Sequence, residues 1–167
     1  MALEIAGVHV AVATVGTLAS TCYSVVKGIN QLRRSYKFMP LTLSSIVLTC
    51  NTTRSTLKQV NLTLANLSGT LKDFHLELLE QYDGIKIGCI MTLSLLEKHV
   101  SDLLDVGGSN IPLKAQKTSR TDKLKALYNE SDMKELFGQL KDHNAMLVTI
   151  LNHLQRYDEH RSEYNLD

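Results

Sequence analysis

The chain has 167 residues, 44% hydrophobic and 21% charged, with a mean hydropathy of -0.06, which fits one soluble domain large enough to bury roughly two thirds of its unfolded surface without staples. Its net charge of +1 conceals a gradient: residues 1–70 hold six basic side chains against Glu4 alone, and the remainder holds 12 basic and 16 acidic groups. Three Phe, six Tyr and no Trp, not interleaved with the basic residues, exclude a stacking surface for nucleic acid.

From Ile5 to Val26 there is no Asp, Glu, Lys or Arg, and the run ends at a basic cluster of Lys27, Arg33, Arg34 and Lys37. As a helix the run reaches roughly 33 Å, about the hydrocarbon thickness of a bilayer. Its Ala, Thr, Ser, Gly and His9 make it less apolar than a committed transmembrane helix, so it suits a protein core as well as a membrane. The opening Met-Ala-Leu-Glu lacks the positive start of a processed leader. Leu3, Ile5, Val8, Val10, Val12, Val15 and Leu18 are the candidate membrane-facing side chains, and the basic cluster beside them is the candidate contact with anionic lipid. Gly16, Ser20, Ser24 and Gly28 recur every four residues, a small-residue ridge that permits close helix approach in a core or in lipid.

The first helix is expected from Leu3 to Lys37, ending before Pro40, which suits the opening of a second. The second helix carries Ile46, Cys50, Leu57, Val60, Leu64 and Leu67 on one face and stops near Gly69. Thr70 and Asp73 resemble a capping box for a third, whose stripe is Leu71, Phe74, Leu78, Tyr82, Ile85, Cys89, Leu93, Leu96, Val100 and Leu103. A loop is expected over 106–112 and a short helix after Ser119 and Asp122, through Leu124, Leu127 and Tyr128. The last helix is expected from Ser131-Asp132, with Met133, Leu136, Phe137, Leu140, Leu147, Ile150, Leu151 and Leu154 inside. The fold class is therefore all-α: an antiparallel bundle of four long helices plus one short helix over 1–160, with 161–167 beginning a linker to downstream domains.

Cys22, Cys50 and Cys89 fall on the apolar stripes without CxxC spacing and are expected as buried thiols in a reducing compartment. The sequons at Asn51, Asn61, Asn66 and Asn129 matter only in a secreted chain. The six histidines show no HExxH or paired spacing, and Gly107-Gly108 is not followed by the Lys-Ser/Thr of a phosphate loop. No enzyme, metal site or cofactor is expected.

Four segments in this order, "ALEIAGVHVAVATVGTLASTCYSVVKGI", "LSSIVLTCNTTRSTLKQV", "GCIMTLSLLEKHVSDLLD" and "LYNESDMKELFGQLKDHNAMLVTILNHLQ", resemble the fungal HeLo-like domains at the N-termini of STAND, or NOD-like receptor, proteins. The resemblance covers nearly the whole chain and implies a bundle akin to the four-helix executioner domain of mixed-lineage-kinase-like pseudokinases. It further implies a cell-death effector, cytoplasmic at rest, that self-associates when downstream receptor modules oligomerise and then turns its first helix on the plasma membrane. A helical adaptor that recruits a partner protein, with the first helix kept in the core, is the alternative.

Overall fold

The computed structural model describes the backbone of residues 2–35, 40–67, 76–108 and 128–164, with their side chains except at 2–14, 35, 76, 106–108 and 161–164. These residues form four long helices and no strand: α1 (Ala2–Ser35), α2 (Leu41–Leu67), α3 (Leu76–Gly108) and α4 (Glu130–Tyr164). The predominance of three- and four-residue apolar spacings dictates this outcome, because only the 3.6-residue period gathers such positions on one face.

Helix ends follow local chemistry that the apolar stripes do not encode. Pro40 stands just outside α2, and its carbonyl accepts the N–H of Leu43 at 3.1 Å, closing the first turn. Asn129 caps α4: its side-chain oxygen accepts the N–H of Ser131 at 3.1 Å and of Asp132 at 3.4 Å. That helix consequently begins at Glu130, ahead of the expected Ser131-Asp132 start. At the other end of α3, Val106, Gly107 and Gly108 belong to the helix rather than to the expected loop. Tyr128 is not helical, and no fifth helix occurs among the described residues. Lys37, Gly69, Thr70, Leu71, Asp73, Phe74, Ser119, Asp122, Leu124 and Leu127 lie outside those residues, as does 109–112.

In cross-section α1 packs on α2 and α3, and α4 packs on the same two, so α2 and α3 face each other across a diagonal. Tyr82 Oη spans that diagonal to Asn61 Oδ1 at 3.4 Å. Gly88 lies against His143, and Thr92 Oγ1 donates to Gln139 Oε1 at 3.3 Å, which sets α3 and α4 antiparallel. Gly28 meets Val100 and Leu104 further along the same direction in which Cys22 neighbours Cys89, so α1 and α3 run parallel. Successive helices thus alternate in direction, as expected, while α1/α3 and α2/α4 are parallel neighbours.

The core is one continuous cluster to which every helix contributes. It includes Val25, Ile29 and Leu32 of α1, Leu43, Ile46 and Leu57 of α2, Leu93 and Leu96 of α3, and Leu140, Leu147 and Leu154 of α4. Leu64, Leu78, Ile85 and Phe137, assigned to the stripes by spacing, are only half-buried at its edges. Among the described residues four polar ones are buried that the apolar pattern missed: Thr53, Thr56, Lys86 and Thr92. Thr56 satisfies its hydroxyl by donating to the Thr52 carbonyl at 3.1 Å, the local bond that lets a threonine enter a helical core.

Candidate functional site

The uncharged N-terminal run folds as one uninterrupted helix with the basic residues at its far end. Over its described side chains that helix is two-faced. Val15, Leu18, Cys22, Val25, Ile29 and Leu32 recur every three or four residues and are buried, with Leu18, Val25 and Ile29 fully so. Gly16, Thr17, Ser20, Tyr23, Lys27 and Arg34 face outward. Among the candidate membrane-facing residues, Val15 and Leu18 are therefore core side chains of the folded bundle, while the side chains of Leu3, Ile5, Val8, Val10 and Val12 lie outside the described residues. Among the described residues no helix is long and apolar enough to cross a membrane.

The small-residue ridge does not act as one surface. A four-residue step overshoots the helical repeat by about 40°, so the ridge winds around the helix. Gly16 and Ser20 are exposed, Ser24 is half-buried and only Gly28 is buried. A Cβ at Gly28 would stand 2.5 Å from Val100 Cγ1, whereas one at Gly16 would meet nothing within 4 Å. The close approach that small residues permit is thus used once, between α1 and α3. Of the basic cluster, Lys27, Arg33 and Arg34 are exposed, and Lys37 lies outside the described residues.

Behind α1 the three thiols are free and buried together. Cys22 and Cys50 share a hydrogen bond across the α1/α2 contact, and that bond followed by burial pushes the Cys50 thiol far above the usual range. Burial, followed by the neighbouring Cys22, pushes the Cys89 thiol up to about 12. Cys50 and Cys89 are thereby held as thiols, unreactive as nucleophiles or ligands at neutral pH, whereas the hydrogen bond with Cys50 lowers the Cys22 thiol against the opposing effect of burial.

Beside this cluster Lys86 crosses the core boundary. Its side chain is 5% exposed, with Nζ 2.5 Å from Asp83 Oδ1 and 4.7 Å from the centre of the Tyr82 ring. The ring face and the carboxylate together compensate a cation taken out of water. Burial and then the Asp83 charge raise the Tyr82 phenol, which stays protonated. Sequence patterning gave no sign of this arrangement, although Tyr82, Asp83 and Lys86 at relative positions 0, 1 and 4 contain both an i,i+3 and an i,i+4 pair.

A cavity of about 420 Å³ opens between α3 and α4, lined by Leu78, Ile85, Met146 and Ile150 with His143 and His153 at its polar side. Burial holds the His143 imidazole below its usual range, against an opposing pull from Asp142. Its Nε2 lies 3.4 Å from Thr92 Oγ1. No group of three His, Cys, Asp or Glu side chains able to hold a metal ion occurs among the described residues. No family model matches the chain, and no curated protein or solved structure matches it either.

Proposed function

We propose that the chain is the N-terminal cell-death effector domain of an intracellular fungal immune-type receptor, one that permeabilises membrane through its first helix after oligomerisation. The observation that carries this reading is α1 itself: a continuous 34-residue helix with no charged residue from Ile5 to Val26 and exposed basic side chains near its end. The HeLo-like character of the four quoted segments supplies the biological setting.

The packing of α1 constrains how such an effector works. Withdrawing Val15, Leu18, Val25, Ile29 and Leu32 from the core would cost roughly 8–15 kcal/mol, at about 1.5–3 kcal/mol per side chain. That is comparable to the whole stability of a domain, about 5–15 kcal/mol. Membrane attack by the entire helix therefore requires unmaking the bundle, and clustering of several chains on a lipid surface is what offsets that cost.

The decisive experiment is release of a trapped dye from anionic and neutral liposomes, with and without forced oligomerisation of the full chain. Release that depends on oligomerisation and on anionic lipid is expected. Absence of release in every arm overturns the effector reading in favour of the adaptor, which the burial of the second half of α1 also suits.

A further inference from the structure

Three sulfurs from three helices gather inside the core, and the α1 mechanism uses none of them. Cys22 of α1, Cys50 of α2 and Cys89 of α3 are 1%, 0% and 0% exposed, each on the buried stripe of its helix. Their contacts differ. Cys22 and Cys50 are hydrogen-bonded to each other across the α1/α2 interface, whereas the effect of Cys22 on Cys89 is one of charge. Along α1 the pair is flanked by Val15 and Leu18 on one side and by Val25, Ile29 and Leu32 on the other.

Two thiols in hydrogen-bond contact are chemically unlike two isolated buried cysteines. The S–H of one stabilises a thiolate on the other, and the thiolate is the form that attacks an oxidant. At Cys22 the Cys50 hydrogen bond outweighs burial, and Arg54, one turn beyond Cys50, adds to it. Cys50 is raised by that same bond first, then by burial and by the charge of Cys22. The first and last of these causes lapse once the Cys22 sulfur is neutral, which frees Cys50 to react in its turn.

We infer that Cys22 and Cys50 form a reversible oxidation site, at which a peroxide joins them in a disulfide that ties α1 to α2 through the core. The Cys22 thiolate takes one oxygen of hydrogen peroxide: an S–O bond forms, the O–O bond breaks, and hydroxide leaves and is protonated to water. Cys50 Sγ then attacks the resulting sulfenic acid, the S–S bond forms, the S–O bond breaks, and the Cys50 proton departs with the oxygen as a second water. The two sulfurs lose two electrons and the peroxide gains them. Peroxide is little larger than water and reaches the pair through local opening of the bundle, which a bulky reagent cannot use. In a reducing compartment such a bond is made and broken as a sensor rather than kept as a permanent staple. With α1 tied to α2 at Cys22, the flanking core residues cannot leave together, so oxidation holds α1 in the bundle. The staple itself requires no lipid; its effect on membrane attack rests on the effector reading.

The test is treatment of the folded full chain with hydrogen peroxide, followed by alkylation, trypsin and peptide mass mapping. Cleavage at Lys27, Lys37, Arg54, Lys86 and Lys98 leaves each thiol in its own peptide. Two of the three free thiols should be lost, with one peptide pair joined through Cys22 and Cys50 of a single chain. The melting temperature should rise by roughly 5–10 °C, and dithiothreitol should reverse both changes. Cys89→Ala should oxidise as the native chain does, and Cys50→Ala should form no intrachain disulfide. If Cys50→Ala does not fold, the peptide map of the native chain decides alone. Three thiols still free, a bond to Cys89 in place of Cys50, bonds between chains only, or an unraised melting temperature would each overturn the proposal. In dye release the oxidised chain should act at least about tenfold more slowly than the reduced one. Equal release by the two forms would overturn the retention of α1, whereas release by neither overturns the effector reading while the mapped disulfide still establishes the staple.

Discussion

Gly28 and Gly16 sit on the same helix three and a third turns apart, and their surroundings assign them opposite roles. Ala at position 28 must displace Val100, a β-branched side chain with little rotamer freedom, so it is expected to destabilise. Ala at position 16 meets open space and gains about 1 kcal/mol of helix propensity. Thermal melting of the two variants should therefore move in opposite directions, and equal shifts would contradict the α1/α3 packing. The thiols make a second residue-scale expectation: none of Cys22, Cys50 and Cys89 should react with a bulky disulfide reagent until the chain unfolds. Their burial was legible because each fell on an apolar stripe. The burial of Lys86 was not, because it depends on the Tyr82 ring and the Asp83 carboxylate lying within reach of its ammonium, which apolar spacing does not register.

At the scale of elements, the three-four spacing from Leu78 to Leu103 made α3 legible across most of its length, while its terminus was not. Gly107 and Gly108 signal a turn by composition, yet a helix already propagating adds one hydrogen bond per residue and carries through them. The start of α4 was misplaced for a related reason: Asn129 caps as well as Ser131 does, and the actual cap is decided by which side chain reaches the free N–H groups. The α3/α4 seam carries a pH expectation. Burial disfavours the charged form of His143, so its folded pKa lies below the unfolded value of about 6.5. As pH falls below that value the unfolded chain takes up a proton that the folded chain resists, and stability declines until the folded pKa is passed. Melting temperature should drop from pH 7.5 to 5.5 more steeply in the native chain than in His143→Gln, and identical profiles would remove His143 as a cause.

For the whole molecule, the all-α bundle was readable because four amphipathic stripes can satisfy only one another, whereas the pairing of α1 with α3 and of α2 with α4 is decided in three dimensions. The candidate site was readable only as a composition: an uncharged helix beside a basic cluster. That composition did not separate a core face from a lipid face, and the fold does so for α1 from Val15 onward by burying Val15 and Leu18 while leaving Gly16 outside. This separation makes Gly16 the informative probe of the proposed membrane mechanism. Gly16→Leu adds a large side chain on the exposed face, so it should leave melting unchanged or raise it while altering permeabilisation through the surface that chains or lipid would contact. Val12→Asp should weaken permeabilisation by placing a carboxylate in the uncharged run, at a cost of about 2.5–3.5 kcal/mol if that position reaches the bilayer centre. Arg34→Ala removes one exposed charge worth about 1 kcal/mol beside an anionic surface, so its loss should be smaller and should vanish at high salt. Dye release read beside thermal melting for all three variants checks the mechanism. If Val12→Asp releases dye as fast as the native chain while Arg34→Ala does not, charge attraction alone brings the bundle to the surface, and α1 stays in the core as the adaptor reading requires.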